Sequence, residues 1–302
     1  MDTKEILDIL PDRIGRIVLK LKNIKNIQEI RVKCDKQLCF NIEGKEIFSP
    51  YIATREDIKT IIQRMSYYSM YSFDEEIKQG YITINGGHRV GICGRCVVDS
   101  GTVKTIKNIS SINIRICRQV VDCSKRIISN IIKDNNILNT IVISPPNCGK
   151  TTIIRDLTRL ISNGVDKLSL KGNKVCIVDE RSEIAACYNG VPQLDVGKRT
   201  DVLDSCPKSE GILMAIRSMS PEVIVCDEIG TKEDIKSIVS ALNSGVKLIS
   251  TIHGFGIEDI YKRPVFKDII ENHVFKRAVV LSQKRGVGTV EYVYDFDKKT
   301  KI

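Results

Sequence analysis

The chain has 302 residues, enough for about two domains with real cores and too many for a small disulfide scaffold. Hydrophobic residues make up 42% and charged residues 28%, which excludes a disordered or collagen-like chain. The formal net charge is +10, of which +8 falls in residues 1–133; this suits nucleic acid, anionic lipid or an acidic partner, and equally a solvated lysine-rich face.

There are eleven cysteines, yet the start MDTKEILDILPDRIGRIVLK has no basic n-region, apolar h-region or small-residue cleavage site. Reduced thiols and a cytoplasmic location are therefore expected. No run approaches the roughly 20 apolar residues of a membrane span, so any membrane role is expected to be peripheral. Cys93-Gly-Arg-Cys96 has metal or redox spacing, but no second pair, adjacent histidine or following helix pattern completes a site.

In chain order, apolar residues at helical spacing predict a helix over 3–22, followed by strands over 27–32 and 38–42. A helix over 54–67 has Thr54 as its N-cap and Asp57 placed for a capping box. Short alternations over 81–84, 89–92 and 112–117 predict a small sheet. Residues 125–133 read as a basic helix leading into an Asp-Asn-Asn turn, and the domain boundary is placed at 124/125. After residue 136 strands over 140–143, 174–178, 222–226 and 246–249 alternate with helices over 150–162, 208–219 and 232–244. That alternation predicts a parallel sheet buried on both faces, with ligands at the carboxyl ends of its strands.

The first of these strands ends in Ser144, Pro145, Pro146, Asn147, Cys148, Gly149, Lys150, Thr151 and Thr152, and a helix begins at once. This matches a phosphate-binding loop except at Ser144, where the pattern asks for glycine. Loop amides can surround phosphate oxygens, Lys150 can reach the β and γ phosphates of ATP, and the Thr151 hydroxyl can meet Mg²⁺. If Ser144 needed a left-handed backbone, the departure would cost roughly 1–2 kcal/mol. Two further strands end in acids, Asp179-Glu-Arg-Ser-Glu183 and Asp227-Glu228, able to hold a metal's water shell and to orient an attacking water. A fourth ends Ser250-Thr251-Ile-His253-Gly254, where His253 is placed to sense a γ-phosphate.

Taken in order, Lys150-Thr151, the 179–183 acidic box, the 220–228 segment and the 241–254 segment resemble the four boxes of type II and type IV secretion ATPases. More closely, Gly86-Gly-His-Arg-Val-Gly-Ile-Cys-Gly94, Asp179-Glu-Arg-Ser-Glu-Ile-Ala-Ala-Cys-Tyr188, Asp195-Val-Gly-Lys-Arg-Thr-Asp-Val-Leu-Asp204 and Cys206-Pro-Lys resemble the stage III sporulation protein AA family of endospore-forming bacteria, over roughly residues 25–296. The resemblance implies a RecA-like P-loop ATPase core over 125–302, using ATP and Mg²⁺, preceded by a smaller α+β domain over 1–124. It also implies a hexameric homo-oligomer and membrane-protein partners in a secretion-like complex between mother cell and forespore, with this chain at the membrane's mother-cell side.

By the same resemblance the catalytic glutamate falls on Glu183 and a Mg²⁺ or water contact on Glu228. Asp227 stands where secretion ATPases often have glycine, so the residues also allow Asp227 to serve the metal and Glu228 the water. Both glutamates stay open. Arg199, in a Gly-rich stretch between acidic boxes, is a candidate intersubunit arginine. Two other classes stand beside this reading: a nucleic-acid-binding P-loop ATPase and a nucleotide-dependent scaffold with little turnover. Aromatics are 5%, tryptophan is absent, and basic and aromatic residues do not interleave, which argues against stacking on single strands.

Overall fold

The structure, a computed structural model, describes residues 4–66, 77–78 and 80–302. It divides into two compact units, Met1–Arg118 with Ala186–Leu194, and Gln119–Ala185 with Asp195–Ile302. The first division falls a few residues ahead of the expected 124/125 boundary.

In the first unit the helical periodicity of 3–22 becomes two helices, α1 (Lys4–Ile9) and α2 (Asp12–Leu19). The break is at Pro11, which lacks an N–H and whose ring clashes with the preceding turn, so it caps α2 instead of continuing α1. Strands β1 (Ile27–Lys33) and β2 (Gln37–Ile42) lie where the alternation places them, and β3 (Lys45–Ile52) adds to β2. Being a largely exposed edge strand containing Pro50, β3 shows no alternation to read. Helix α3 (Arg55–Met65) begins with the expected capping box: Asp57 N–H donates to Thr54 Oγ1 at 3.2 Å and Thr54 N–H donates to Asp57 Oδ2 at 2.8 Å. Residues 3 and 67, ends of two expected helices, lie outside the described residues.

Strands β4 (Tyr81–Ile84), β5 (His88–Asp99) and β6 (Thr102–Arg115) complete an antiparallel sheet of order β3-β2-β1-β6-β5-β4. The β5–β6 hairpin is longer than its alternation suggests, because the residues toward its tip are mostly exposed on both faces. Cys93 and Cys96 lie exposed on β5. Apolar residues of α1–α3, among them Ile14 and Ile61, share a buried core with Ile30, Phe40, Val90 and Ile114 of the sheet. Within this unit Gly86 N–H donates to Gln193 Oε1 at 2.9 Å. Gly87, at φ 71°, has no room for a side chain: a Cβ there would come within 2.8 Å of the Ala186 Cβ.

In the second unit the expected basic helix over 125–133 is one turn, α4 (Lys125–Ile128), followed by a 3₁₀ turn and a hairpin of β7 (Ile132–Lys133) and β8 (Asn136–Ile137). Asp134 and Asn135 both take positive φ, the two-residue turn that fits a hairpin's twist. Then follow β9 (Thr140–Ser144), α5 (Lys150–Asn163), β10 (Val175–Asp179), β11 (Thr200–Asp204), α6 (Lys208–Ser218), β12 (Val223–Cys226), α7 (Lys232–Asn243) and β13 (Lys247–His253). Short helices α8 (Glu258–Lys262) and α9 (Lys267–Glu271) lead to β14 (Arg277–Ser282), β15 (Thr289–Asp295) and β16 (Thr300–Lys301). The sheet order is β11-β10-β12-β13-β9-β14-β15-β16, parallel from β11 to β14 and antiparallel at β15 and β16. The fold is thus α/β with one largely parallel sheet. Since β9, β10, β12 and β13 run the same way, their carboxyl ends form one edge, where Lys150, Asp179, Glu183, Asp227, Glu228 and His253 are placed.

Candidate functional site

Ser144 is the last residue of β9, buried and paired with His253 of β13, so it needs no left-handed backbone and the conditional strain does not arise. The left-handed residues of the loop are Asn147 (φ 59°) and Gly149 (φ 85°), types that tolerate this region. Gly149 caps α5, whose first amides have no intrahelical acceptor and make an anion-binding end. The β14–β15 turn takes up loop carbonyls: Gln283 Nε2 donates to Asn147 O at 2.9 Å, and Gly288 N–H donates to Cys148 O at 3.1 Å. The Cys148 side chain is buried.

Lys150 is buried, and its Nζ donates to Ser144 O at 3.2 Å and Pro145 O at 3.1 Å. It also lies 2.9 Å from His253 Nδ1. Burial pulls the Lys150 pKa below the ordinary lysine value, opposed by the charges of Asp227 and Glu228. An ammonium only donates, so Nδ1 of His253 is the acceptor and the ring's N–H sits on Nε2, 3.3 Å from Glu228 Oε1. Next to this chain, Thr151 Oγ1 donates to Asp227 Oδ2 at 3.1 Å and Thr251 Oγ1 donates to Asp227 Oδ1. Glu228 N–H donates to Thr251 Oγ1 at 2.9 Å and to Asp227 Oδ1 at 3.0 Å, holding Glu228 at an uncommon φ of 33°.

At the end of β10 the Asp179 carboxylate, 1% exposed, accepts from the N–H groups of Glu183, Ile184 and Ala185 at 2.8, 2.9 and 2.9 Å. Burial pushes its pKa up to about 6, against those three donors. Arg155 of α5 donates from Nε to Ile184 O and from Nη2 to Glu183 O, the latter at 2.7 Å. The acidic loop is thus wound around one buried carboxylate and pinned to the helix that carries Lys150. Lys208, first residue of α6, donates from Nζ to Glu180 Oε2 at 3.1 Å and to the Glu228 carbonyl at 2.9 Å. A cleft of about 260 Å³ is lined by Glu183, Asp227, Glu228, Glu180 and Lys208.

Of the residues singled out from sequence, Lys150, Thr151, Asp227, Glu228 and His253 meet in one hydrogen-bonded network, and Glu183 shares the cleft with the two acids of β12. Arg199 stands apart: Nη1 donates to Ser162 O at 3.0 Å, near the C-terminal end of α5. The helix rise between Lys150 and Ser162 is about 18 Å. Sequence reasoning missed Arg155 and Lys208. Their signals were a basic residue on the apolar face of a helix and a lysine at a helix N-terminus, where the dipole disfavours a cation.

The oxygen atoms of Thr151 and Asp227 suit a hard cation. Among the described residues no group of three His, Cys, Asp or Glu gathers to hold a metal ion. One carboxylate and one hydroxyl, completed by phosphate and water, is how Mg²⁺ is commonly held at nucleotide sites, so these residues fit it. Among the described residues no helix is long and apolar enough to cross a membrane.

Comparison with known proteins extends this geometry. The structure is similar to the Legionella pneumophila ATPase DotB, with a TM-score of 0.61 at 14% identity over 96% of this chain and 82% of that one. It is similar to the pilus retraction motor PilT with bound ADP, with a TM-score of 0.61 at 16% identity over 91% and 77% of the two chains. At these identities the likeness is one of fold. In sequence, the chain is 44% identical over 295 residues to Stage III sporulation protein AA of Bacillus subtilis (strain 168), covering 97% of this chain and 95% of that relative. The profile of the family described as "Sporulation stage III, protein AA" matches residues 1–301. Matched nearly end to end by that profile and by a relative at 44% identity, the chain belongs to the sporulation stage III protein AA family.

Proposed function

We propose that the chain is a P-loop ATPase of RecA-like architecture that hydrolyses ATP with Mg²⁺. The observation that carries this reading is the joining of Lys150 and Thr151, at the loop–helix junction, to His253 and Asp227 at two neighbouring strand ends. Lys150 and the loop amides offset charge on the transferred phosphoryl group, the source of most catalysis in this reaction. Thr151 and Asp227 hold the Mg²⁺, which neutralises phosphate charge when bound. Glu183 orients the attacking water. A second reading gives that role to Glu228, favoured by its contact with His253 and hence its link to Lys150.

In this reading the ATP cycle powers a secretion-like complex between mother cell and forespore. The chain acts as a ring of six copies, in the cytoplasm beside a membrane, with membrane proteins as partners. The family and the secretion-ATPase likeness of the fold support it.

Phosphate release by the purified protein tests the hydrolysis. Lys150→Ala is expected to abolish turnover and weaken ATP binding while folding normally; normal release by that folded variant would remove the assignment. Glu183→Gln is expected to keep ATP binding and lose hydrolysis. If Glu228→Gln alone behaves so, Glu228 orients the water. Folded wild type that binds ATP without releasing phosphate would make the chain a nucleotide-dependent scaffold.

A further inference from the structure

Lys208 occupies a position that works against its charge twice. Its side chain is 7% exposed, and an ammonium removed from water is unfavourable unless well paired. It also stands in the first turn of α6, where the helix dipole repels a cation. Two acceptors offset this, the Glu180 carboxylate and the Glu228 carbonyl, which belong to the loops after different strands. Burial works against the charged form, yet the surroundings of Cys226, Glu180 and Asp234 hold the Lys208 pKa above its ordinary value.

The acceptor that matters is the Glu228 carbonyl. At φ 33° Glu228 adopts a backbone that L side chains enter only against steric repulsion, and such a conformation persists only where its surroundings over-determine it. Its N–H is held by Thr251 Oγ1 and Asp227 Oδ1, and its C=O by Lys208. The side chain carried by this residue is the one whose Oε1 lies 3.3 Å from His253 Nε2. Fixing both ends of the residue therefore fixes where its carboxylate stands.

We propose that Lys208 is a positioning residue for the site, its ammonium clamping the Glu228 carbonyl so that the left-handed backbone holds the Glu228 carboxylate against His253. Its effect on turnover rests on the proposed hydrolysis, while its effect on the Glu228 backbone does not.

Two readouts separate these. In Lys208→Met, which keeps length and loses the charge and donors, amide hydrogen exchange in residues 226–230 rises at least tenfold, while that of residues 212–218 in α6 stays within twofold of wild type. In the same variant kcat falls about 10–100-fold with KM for ATP within threefold, since Lys208 touches none of the contacts of Lys150. Glu180→Gln, which leaves the Glu228 carbonyl bonded, keeps exchange at 226–230 within twofold of wild type and loses less kcat than Lys208→Met. Unchanged exchange at 226–230 overturns the proposal, as does a rise throughout α6, which would mean a purely structural lysine. A loss in Glu180→Gln equal to that in Lys208→Met also overturns it, placing the effect in the ion pair. Should Lys208→Met not fold, Lys208→Gln, which retains a neutral donor, shows the same pattern in smaller measure, and no rise at 226–230 overturns the proposal. If wild type itself shows no turnover, the hydrolysis reading fails and the exchange comparison still decides the role of Lys208.

Discussion

Replacing Thr251 by valine exchanges one hydroxyl for a methyl at nearly constant shape, at a fully buried position of β13. That hydroxyl donates to Asp227 Oδ1 and accepts the Glu228 N–H at 2.9 Å, so it couples the two acids of β12. Its removal takes a charge-assisted donor from a partly buried carboxylate, worth about 1.5–3 kcal/mol, and leaves the Glu228 N–H only its 3.0 Å bond to Asp227 Oδ1. No cavity opens, so no packing loss is added. Stability is expected to fall by about 2–3 kcal/mol, nearly all of it from these two bonds. Glu228 then loses one of the bonds holding its positive φ, a conformation roughly 1–2 kcal/mol uphill for an L residue. If that relaxation displaces the carboxylate, kcat falls about 10–100-fold, or ~1.4–3 kcal/mol of barrier. Lys150 keeps its contacts with Ser144, Pro145 and His253, so ATP affinity is expected within about threefold of wild type. Urea unfolding read by circular dichroism, with single-turnover phosphate release, measures both quantities. A stability change below about 0.5 kcal/mol together with an unchanged rate would refute the reasoning, since two part-buried bonds cannot vanish without either effect.

Asp57 is buried and accepts from Arg13 Nε, Tyr51 OH and Thr54 N–H, and although burial alone would raise its pKa, these donors hold it below the ordinary carboxylate value. Asp57→Asn is expected to destabilise the first unit by about 2–3 kcal/mol at neutral pH. Because the folded pKa is depressed, that gap is full above about pH 4 and closes as pH falls through the folded value; a gap that widens in acid would contradict it. If hydrolysis requires an arginine from a neighbouring copy, specific activity rises with protein concentration and levels off as rings form. Lys150→Ala subunits mixed with Arg199→Ala subunits should then regain part of the rate if Arg199 is that group, whereas failure within confirmed mixed rings excludes it.

The features that can be read from the letters alone are those that short-range physics decides. The capping box of Thr54 and Asp57 spans four residues, and its two bonds form as read. The strand, loop and helix around Lys150 span two dozen residues, and their periods and glycine placement are visible in the letters. The four parallel strands with acidic or polar ends were legible because fully buried strands read as unbroken apolar runs. The apolar spacing over 3–22 predicts a single helix, yet Pro11 breaks it in two, because its missing N–H and ring outweigh the spacing across it. Edge strand β3, the distal β5–β6 hairpin and β11 lack that signal, since one-sided burial is what produces alternation and these segments have little of it.

Which motif residues touch is set by the long-range packing of the sheet. Lys150 and His253 are 103 residues apart, and Thr151 and Asp227 are 76 apart, yet both pairs are within hydrogen-bond reach. They meet because β13 lies between β12 and β9, an order set by packing of whole strands and helices that no local pattern encodes. The same packing turned Arg155 and Lys208 inward against main-chain carbonyls and sent Arg199 to the far end of α5. A basic residue looks alike in a sequence whether it faces water or a buried carbonyl. Its role is fixed by which acceptors the fold brings beside it once water has been excluded.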